Sequence, residues 1–192
     1  MSSIAIRRAA PANPVNSTSS TSAQVFNLVS NAAVPVTVVA PGHLVLEGKR
    51  FTVRAEGSLY SAGATTTVVA SLLGALTIPA TPLTAANWTL LGAGTARTVD
   101  ATWCPWWISA DLIFDSNGGK LQGVFEQMLN NLYDARAAIT NQVTGVNGTN
   151  STISQAGTAV APAEPAVVFA VALTFNTAGA NIGNLANFEV GF

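Results

Sequence analysis

The chain predicts an all-β fold, specifically an antiparallel β-sandwich, on three observations. Short runs rich in Val, Ile, Thr and aromatic residues recur, broken roughly every 8 to 15 residues by Gly, Pro, Asn or Ser. Several of these runs alternate apolar with polar residues, the period of a strand with one buried face. Few stretches carry an unambiguous helical pattern, and short strands without helices bury their apolar faces by packing one sheet on another.

Taken in order, residues 1–22, "MSSIAIRRAAPANPVNSTSSTS", are small, polar and Pro-punctuated, with little apolar content to offset the entropy of ordering. They read as an extended N-terminal arm, either frayed or ordered against a neighbouring subunit. Residues 23–192 read as the sandwich domain. "FTVRAEGSLY" sets Phe51, Val53 and Ala55 against Thr52, Arg54 and Glu56, and "ATTTVVASLL" follows a Gly-containing break. Residues 50–73 are therefore expected to form an antiparallel hairpin with its loop at Ser61 to Ala64. "NWTLLGAGTARTVDATW" holds two weaker strands.

"WWISADLIF" places Trp106, Ile108, Ala110, Leu112 and Phe114 on the core face, and Trp107, Ser109, Asp111, Ile113 and Asp115 on the other. "DSNGGK" closes it as a hairpin turn, because Asn and Gly tolerate the positive φ that tight reversals require. "LQGVFEQMLNNLYDARAAIT" fits a strand followed by a loop. It also fits a helix, since Phe125, Met128, Leu129, Leu132 and Ile139 match helical spacing. "AVVFAVALTF" and "NFEVGF" are two further strands, and the terminal Phe192 is expected to tuck into a sheet or an interface.

Charge is scarce. Charged residues make up 9% of the 192 residues and hydrophobic ones 49%, against a typical quarter and half. A compact monomer of this size exposes roughly 8,600 Å², and eight basic with nine acidic side chains cover such a surface thinly. Much of the exterior is thus expected to face protein, as in an assembly subunit. A net charge of −1 with scattered basic residues argues against nucleic acid and anionic lipid as partners. The densest apolar run, Ala166 to Phe175, is too short to span a membrane as a helix and suits a buried strand. No signal-peptide pattern follows Arg7-Arg8, and a single cysteine excludes an intrachain disulfide framework.

The inventory for catalysis is poor, and no catalytic, cofactor-binding or metal-ligating residue is assigned. His43 sits in a turn-like "APGHLVLEG", and Cys104 between Trp103 and Pro105 reads as a buried, inert thiol. Asp111 and Asp115 lie roughly 13 Å apart along an extended chain, too far for a paired-carboxylate hydrolase site. The stretch Asp115 to Glu126 has a calcium-loop outline, but Gly119 and Lys120 stand where an oxygen ligand and a glycine are required. N-x-S/T triplets at Asn16, Asn87, Asn147 and Asn150 match the frequency of Ser and Thr here, and "GAGTA" lacks the strand-to-helix context of nucleotide binding. A β-sandwich hydrolase with its groups drawn from distant loops is the remaining enzymatic alternative.

Trp103, Trp106 and Trp107 cluster at the start of one strand. Alternation forbids Trp106 and Trp107 from sharing a core, so one indole faces out. It is covered by core packing, by a sister subunit, or by a sugar stacked on it. Arg54 and Glu56, on the polar face of another strand, are either a cross-subunit ion pair or an ordinary solvated pair. Candidate interface residues are therefore Trp103, Trp107, Arg54, Glu56 and Phe192.

Across residues 44–192, "LEGKRFTVRAEGSLYSAGATTTVVASLLGA", "WWISADLIFDSNGGKLQG" and "FAVALTFNTAGANIGNLANFEVGF" together resemble tailed-bacteriophage virion proteins of jelly-roll-like β-sandwich type. The matching features are a G-x-x-F-x-V-x-A-x-G strand at Gly48 to Gly57, a W-x-I-x-A strand with a glycine turn at Trp106 to Gly119, and an F-x-V ending at Asn187 to Phe192. The resemblance implies a non-enzymatic virion component without cofactor, assembled in the host cytoplasm. On that footing it is a capsid decoration (cement) protein, homotrimeric, bound to the major capsid protein. A tail or head-fibre protein touching a host receptor or glycan is the alternative. The N-terminal arm has no counterpart in that pattern.

Overall fold

The computed structural model describes residues 5–9, 15–18, 24–28, 31–40, 50–63, 66–75, 77–99, 102–115, 120–130, 132–139 and 167–192. These are almost entirely strand: β1 (Ala5–Ala9), β2 (Val15–Thr18), β3 (Gln24–Val25), β4 (Asn27–Leu28), β5 (Asn31–Pro35), β6 (Thr37–Ala40), β7 (Arg50–Ser61), β8 (Thr66–Ala75), β9 (Thr89–Ala93), β10 (Arg97–Val99), β11 (Cys104–Asp115), β12 (Lys120–Leu129), β13 (Leu132–Ile139), β14 (Val167–Phe175) and β15 (Asn181–Gly191). One 3-10 turn, Ala85–Asn87, interrupts them. All the pairings between these strands are antiparallel, and the fold is the expected all-β, sandwich-like one.

Sheet A runs β1-β15-β7-β11-β12-β13, with β2 also on β15. Sheet B runs β10-β8-β14-β3, with β9 also on β8 and β6 also on β14, and β4 pairs with β5. The sheets face each other across one core. Phe51, Val53, Trp106 and Ile108 from sheet A pack with Val68, Ala70, Phe169 and Val171 from sheet B. The Phe51 and Phe169 rings meet across it at 6.0 Å. In β7 and β11 the inward set is the apolar half of the alternation, which is what period-two patterning dictates.

Strand β14 is buried on both sides, the reason its sequence reads as an unbroken apolar run. Val167, Phe169, Val171, Leu173 and Phe175 enter the main core. Val168, Ala170 and Ala172 lie instead under a second cluster that includes Ala85 and Trp88. The Trp88 indole N–H donates to Pro82 O at 2.8 Å, which fixes this cover in place. Part of the chain's apolar excess is thus consumed in roofing the back of sheet B.

The expected hairpin over residues 50–73 is not formed. β7 belongs to sheet A and β8 to sheet B, so between these strands the chain arches across the sandwich instead of reversing within one sheet. β14 and β15 are joined by a second such arch, stacked on the first. Ser61 Oγ donates to Asn181 Oδ1 at 2.7 Å, the Thr66 and Thr177 hydroxyls pair at 2.9 Å, and Thr67 N donates to Asn176 Oδ1 at 2.6 Å. Alternation and a glycine break look alike for a hairpin and an arch, since neither names a strand's partner. What separates them is that Ser71, Leu72, Leu73 and Gly74 of β8 are all buried, as befits the middle of a covered sheet.

β11 and β12 do form the hairpin expected of "DSNGGK", pairing down to Asp115↔Lys120. The described part of the stretch left open between strand-then-loop and helix is two strands about a turn: β12 turns into β13 and the two pair from Leu129↔Leu132. Asn130, at φ 50°, makes the two-residue reversal possible, because Asn tolerates the left-handed region. Within the expected arm, β1 and β2 lie end to end along the free edge of β15 in their own chain. His43, Asn117, Gly119, Asn147 and Asn150 lie outside the described residues.

Candidate functional site

The pairing of β7, β11 and β12 arranges the outward side chains of sheet A in rows. Opposite Trp107 stand Glu56 on β7 and Met128 on β12. Opposite Ser109 stand Arg54 and Glu126, and Arg54 in turn faces Glu189 of β15. The next row brings Thr52 to Asp111, whose Oδ1 accepts a hydrogen bond from Thr52 Oγ1 at 2.8 Å. One step the other way, Pro105 faces Ser58, and beyond them the Trp103 ring lies 5.7 Å from that of Tyr60.

Trp106 and Trp107 separate as alternation requires. Trp106 is 1% exposed and lies in the main core. Its indole N–H is shared between Ser58 O at 3.3 Å and Asn184 O at 3.2 Å, carbonyls beside the bulge where β15 slips against β7. Trp107 is half-buried and borders a depression of about 320 Å³ together with Arg54, Glu56, Ser109 and Glu126. Trp103 is 53% exposed.

Of the predicted site residues, Trp103, Trp107, Arg54 and Glu56 are brought together on this face. Phe192 is not: it lies toward the far end of β7, stacked on Phe51 at 5.6 Å and packed against the main core. Tyr60, Met128, Ser109 and Glu126 complete the face and were not singled out from the sequence. Glu126 and Met128 were nonetheless legible, because a turn that pairs Asp115 with Lys120 forces Ser109 opposite Glu126 and Trp107 opposite Met128. The same hairpin puts Glu126 on a strand, far from any ion that a loop at Asp115 would hold.

Cys104 is buried, with its thiol directed at Leu59 O 3.7 Å away. Among the described residues, no group of three or more His, Cys, Asp or Glu gathers to hold a metal ion, and no helix is long and apolar enough to cross a membrane. Charge is distributed unevenly: of the charged residues on the described strands, all but Arg97 belong to sheet A. Strands β3, β6, β8, β9 and β14, and the 77–88 segment that roofs them, carry none. No protein-family model, curated protein or solved structure matches the chain.

Proposed function

We propose that the protein is a non-enzymatic virion structural protein, a capsid decoration protein that oligomerises, as a trimer, and reinforces a phage head by adhesion between subunits and to the major capsid protein. The resemblance of residues 44–192 to virion β-sandwiches supports this reading, as does the scarcity of charge. The single observation that carries it is the near absence of charge among the described residues of sheet B, where Arg97 alone is charged. Ile78 is 50% exposed and Leu90 37% exposed on that side, next to a roof built from Ala, Thr, Pro and Leu. A surface of this kind loses little on leaving water, and at about 25 cal/mol per Å² of apolar area a contact of standard size offsets the cost of association. Repetition over a shell lattice then multiplies modest contacts into firm attachment.

On this reading the subunit contact lies on the opposite side from Trp107. The sequence alone favours a sister chain over the outward indole, but Arg54, Glu56 and Glu126 around it make a surface costly to desolvate against protein. The test is the native mass of the full chain by sedimentation, with Ile78→Lys and Leu90→Lys as variants. An oligomer that either lysine dissociates fits the reading; a monodisperse wild-type monomer overturns it. Particles stripped of the protein should also lose heat resistance, and unchanged resistance would remove the cementing role.

A further inference from the structure

From the outer face of sheet A we infer a second role: it is a binding strip for a neutral oligosaccharide, stacked on Trp103 and Trp107. This does not rest on the assembly reading, because the strip lies on the other side of the sandwich. Pro105 and Trp107 share the outward parity of β11, and Trp103, just before the strand, continues the row against Tyr60, so extended backbone spacing sets the two indoles roughly 13 Å apart. That span calls for a chain of sugars rather than a single ring.

The chemistry between and beside the indoles selects the ligand. A pyranose offers an apolar C–H face for an aromatic ring and a rim of hydroxyls that both donate and accept. Here the aromatic positions are bordered by Ser58 and Glu56 on β7, then by Arg54, Ser109 and Glu126 one row on, a mixture of carboxylate acceptors, hydroxyls that donate and accept, and one guanidinium donor. A protein hot spot instead wants an aromatic anchor inside a dry apolar rim. The depression at Trp107, about 320 Å³, is at the small end of the range for ligand sites and matches one or two sugar rings. Carboxylates outnumber the guanidinium around it, with Glu56, Glu126 and Glu189 near Arg54, which disfavours sialylated or sulfated chains. Both rings sit on or beside a central strand of the sheet, flanked by β7 and β12, so little entropy is lost on binding.

The experiment is to probe the full chain against an array of immobilised oligosaccharides, neutral, N-acetylated, sialylated and sulfated. Tryptophan fluorescence is then titrated with the best neutral member in soluble form and with its monosaccharide. Expected is binding of at least one neutral or N-acetylated oligosaccharide, weaker by tenfold or more for the monosaccharide. Trp103→Ala and Trp107→Ala should each weaken it roughly two- to tenfold, the worth of one stacked ring. Trp103 is exposed enough that its removal leaves folding intact, so the test survives if Trp107→Ala destabilises the chain. Binding only of acidic glycans, no binding at all, or binding unchanged by both substitutions overturns the inference. So does a loss of native mass in Trp103→Ala or Trp107→Ala, which would make the strip a contact between copies. Failure of the assembly reading is read separately, from Ile78→Lys and Leu90→Lys.

Discussion

The indole of Trp106 lies flat against the ring of Phe26, with centroids 5.6 Å apart and planes 12° apart. Phe26 is tied to sheet B, its N–H donating to Val171 O at 3.1 Å, while Trp106 belongs to β11 of sheet A, so this stack bridges the two layers. The indole N–H adds a polar tie to Ser58 O and Asn184 O. Trp106→Ala should cost about 3–5 kcal/mol through the cavity it leaves. Trp106→Phe keeps a ring but removes the N–H that reaches the Ser58 and Asn184 carbonyls, and should cost about 1–3 kcal/mol. Urea unfolding measures both, and equal stability of Trp106→Phe and the wild type would show that the N–H contributes nothing.

Gly57 faces Trp106 on one side and Leu185 on the other, at the point where β15 bulges. A methyl group there would overlap Asn184 O, the same carbonyl that accepts from the indole. Backbone on both flanks is held by ladder hydrogen bonds, so the clash cannot relax cheaply. Gly57→Ala should lose about 1–3 kcal/mol, or roughly 2–4 °C in melting temperature per kcal/mol. Gly179→Ala is the control: nothing lies within 4 Å of its added methyl, and its melting should stay near wild type.

The fates of β11 and β8 show what a period-two pattern conveys. In β11 the pattern placed Trp106 inside and Trp107 outside, because side-chain parity is a local property of an extended chain. In β8 it suggested the wrong neighbour, because pairing depends on contacts between residues such as Ala172 and Ser71, far apart in sequence. The helix alternative at 124–139 arose from a related cause. Gln127 occupies an inward position on β12, fully buried, its amide donating to Thr95 O at 2.7 Å. A polar residue on the core side blurs the alternation and lets helical spacing compete. The candidate strip was half legible: its tryptophans were visible, but Tyr60 joins Trp103 only through the β7–β11 register.

Trp88 should be the residue whose loss most changes solution behaviour. It roofs Val168, Ala170 and Ala172 on the back of sheet B. Trp88→Ala removes the roof from a surface whose described residues carry almost no charge to keep it soluble. The expected outcome is a loss of about 3–5 kcal/mol together with increased dye binding to exposed apolar surface and self-association seen by light scattering. A variant that melts early yet stays as dispersed as the wild type would mean that the 77–88 segment remains seated without its indole.

Cys104 reports on opening of the sandwich at the same end as Trp103. Cys104 is 4% exposed as a residue and sits opposite Leu59 in the β7–β11 ladder, its thiol directed at the Leu59 carbonyl. Burial keeps the thiol from reagent, so an aromatic disulfide reagent should label the native chain very slowly. Labelling requires that β11 part from β7, which breaks the centre of sheet A and is close to global unfolding. The labelling rate should therefore track the stability losses of Trp106→Phe and Gly57→Ala across the series, rising about tenfold for each 1.4 kcal/mol when reclosing is fast. Rapid labelling of the folded wild type, at a rate indifferent to those substitutions, would show that the Trp103 end of β11 frays independently of the core.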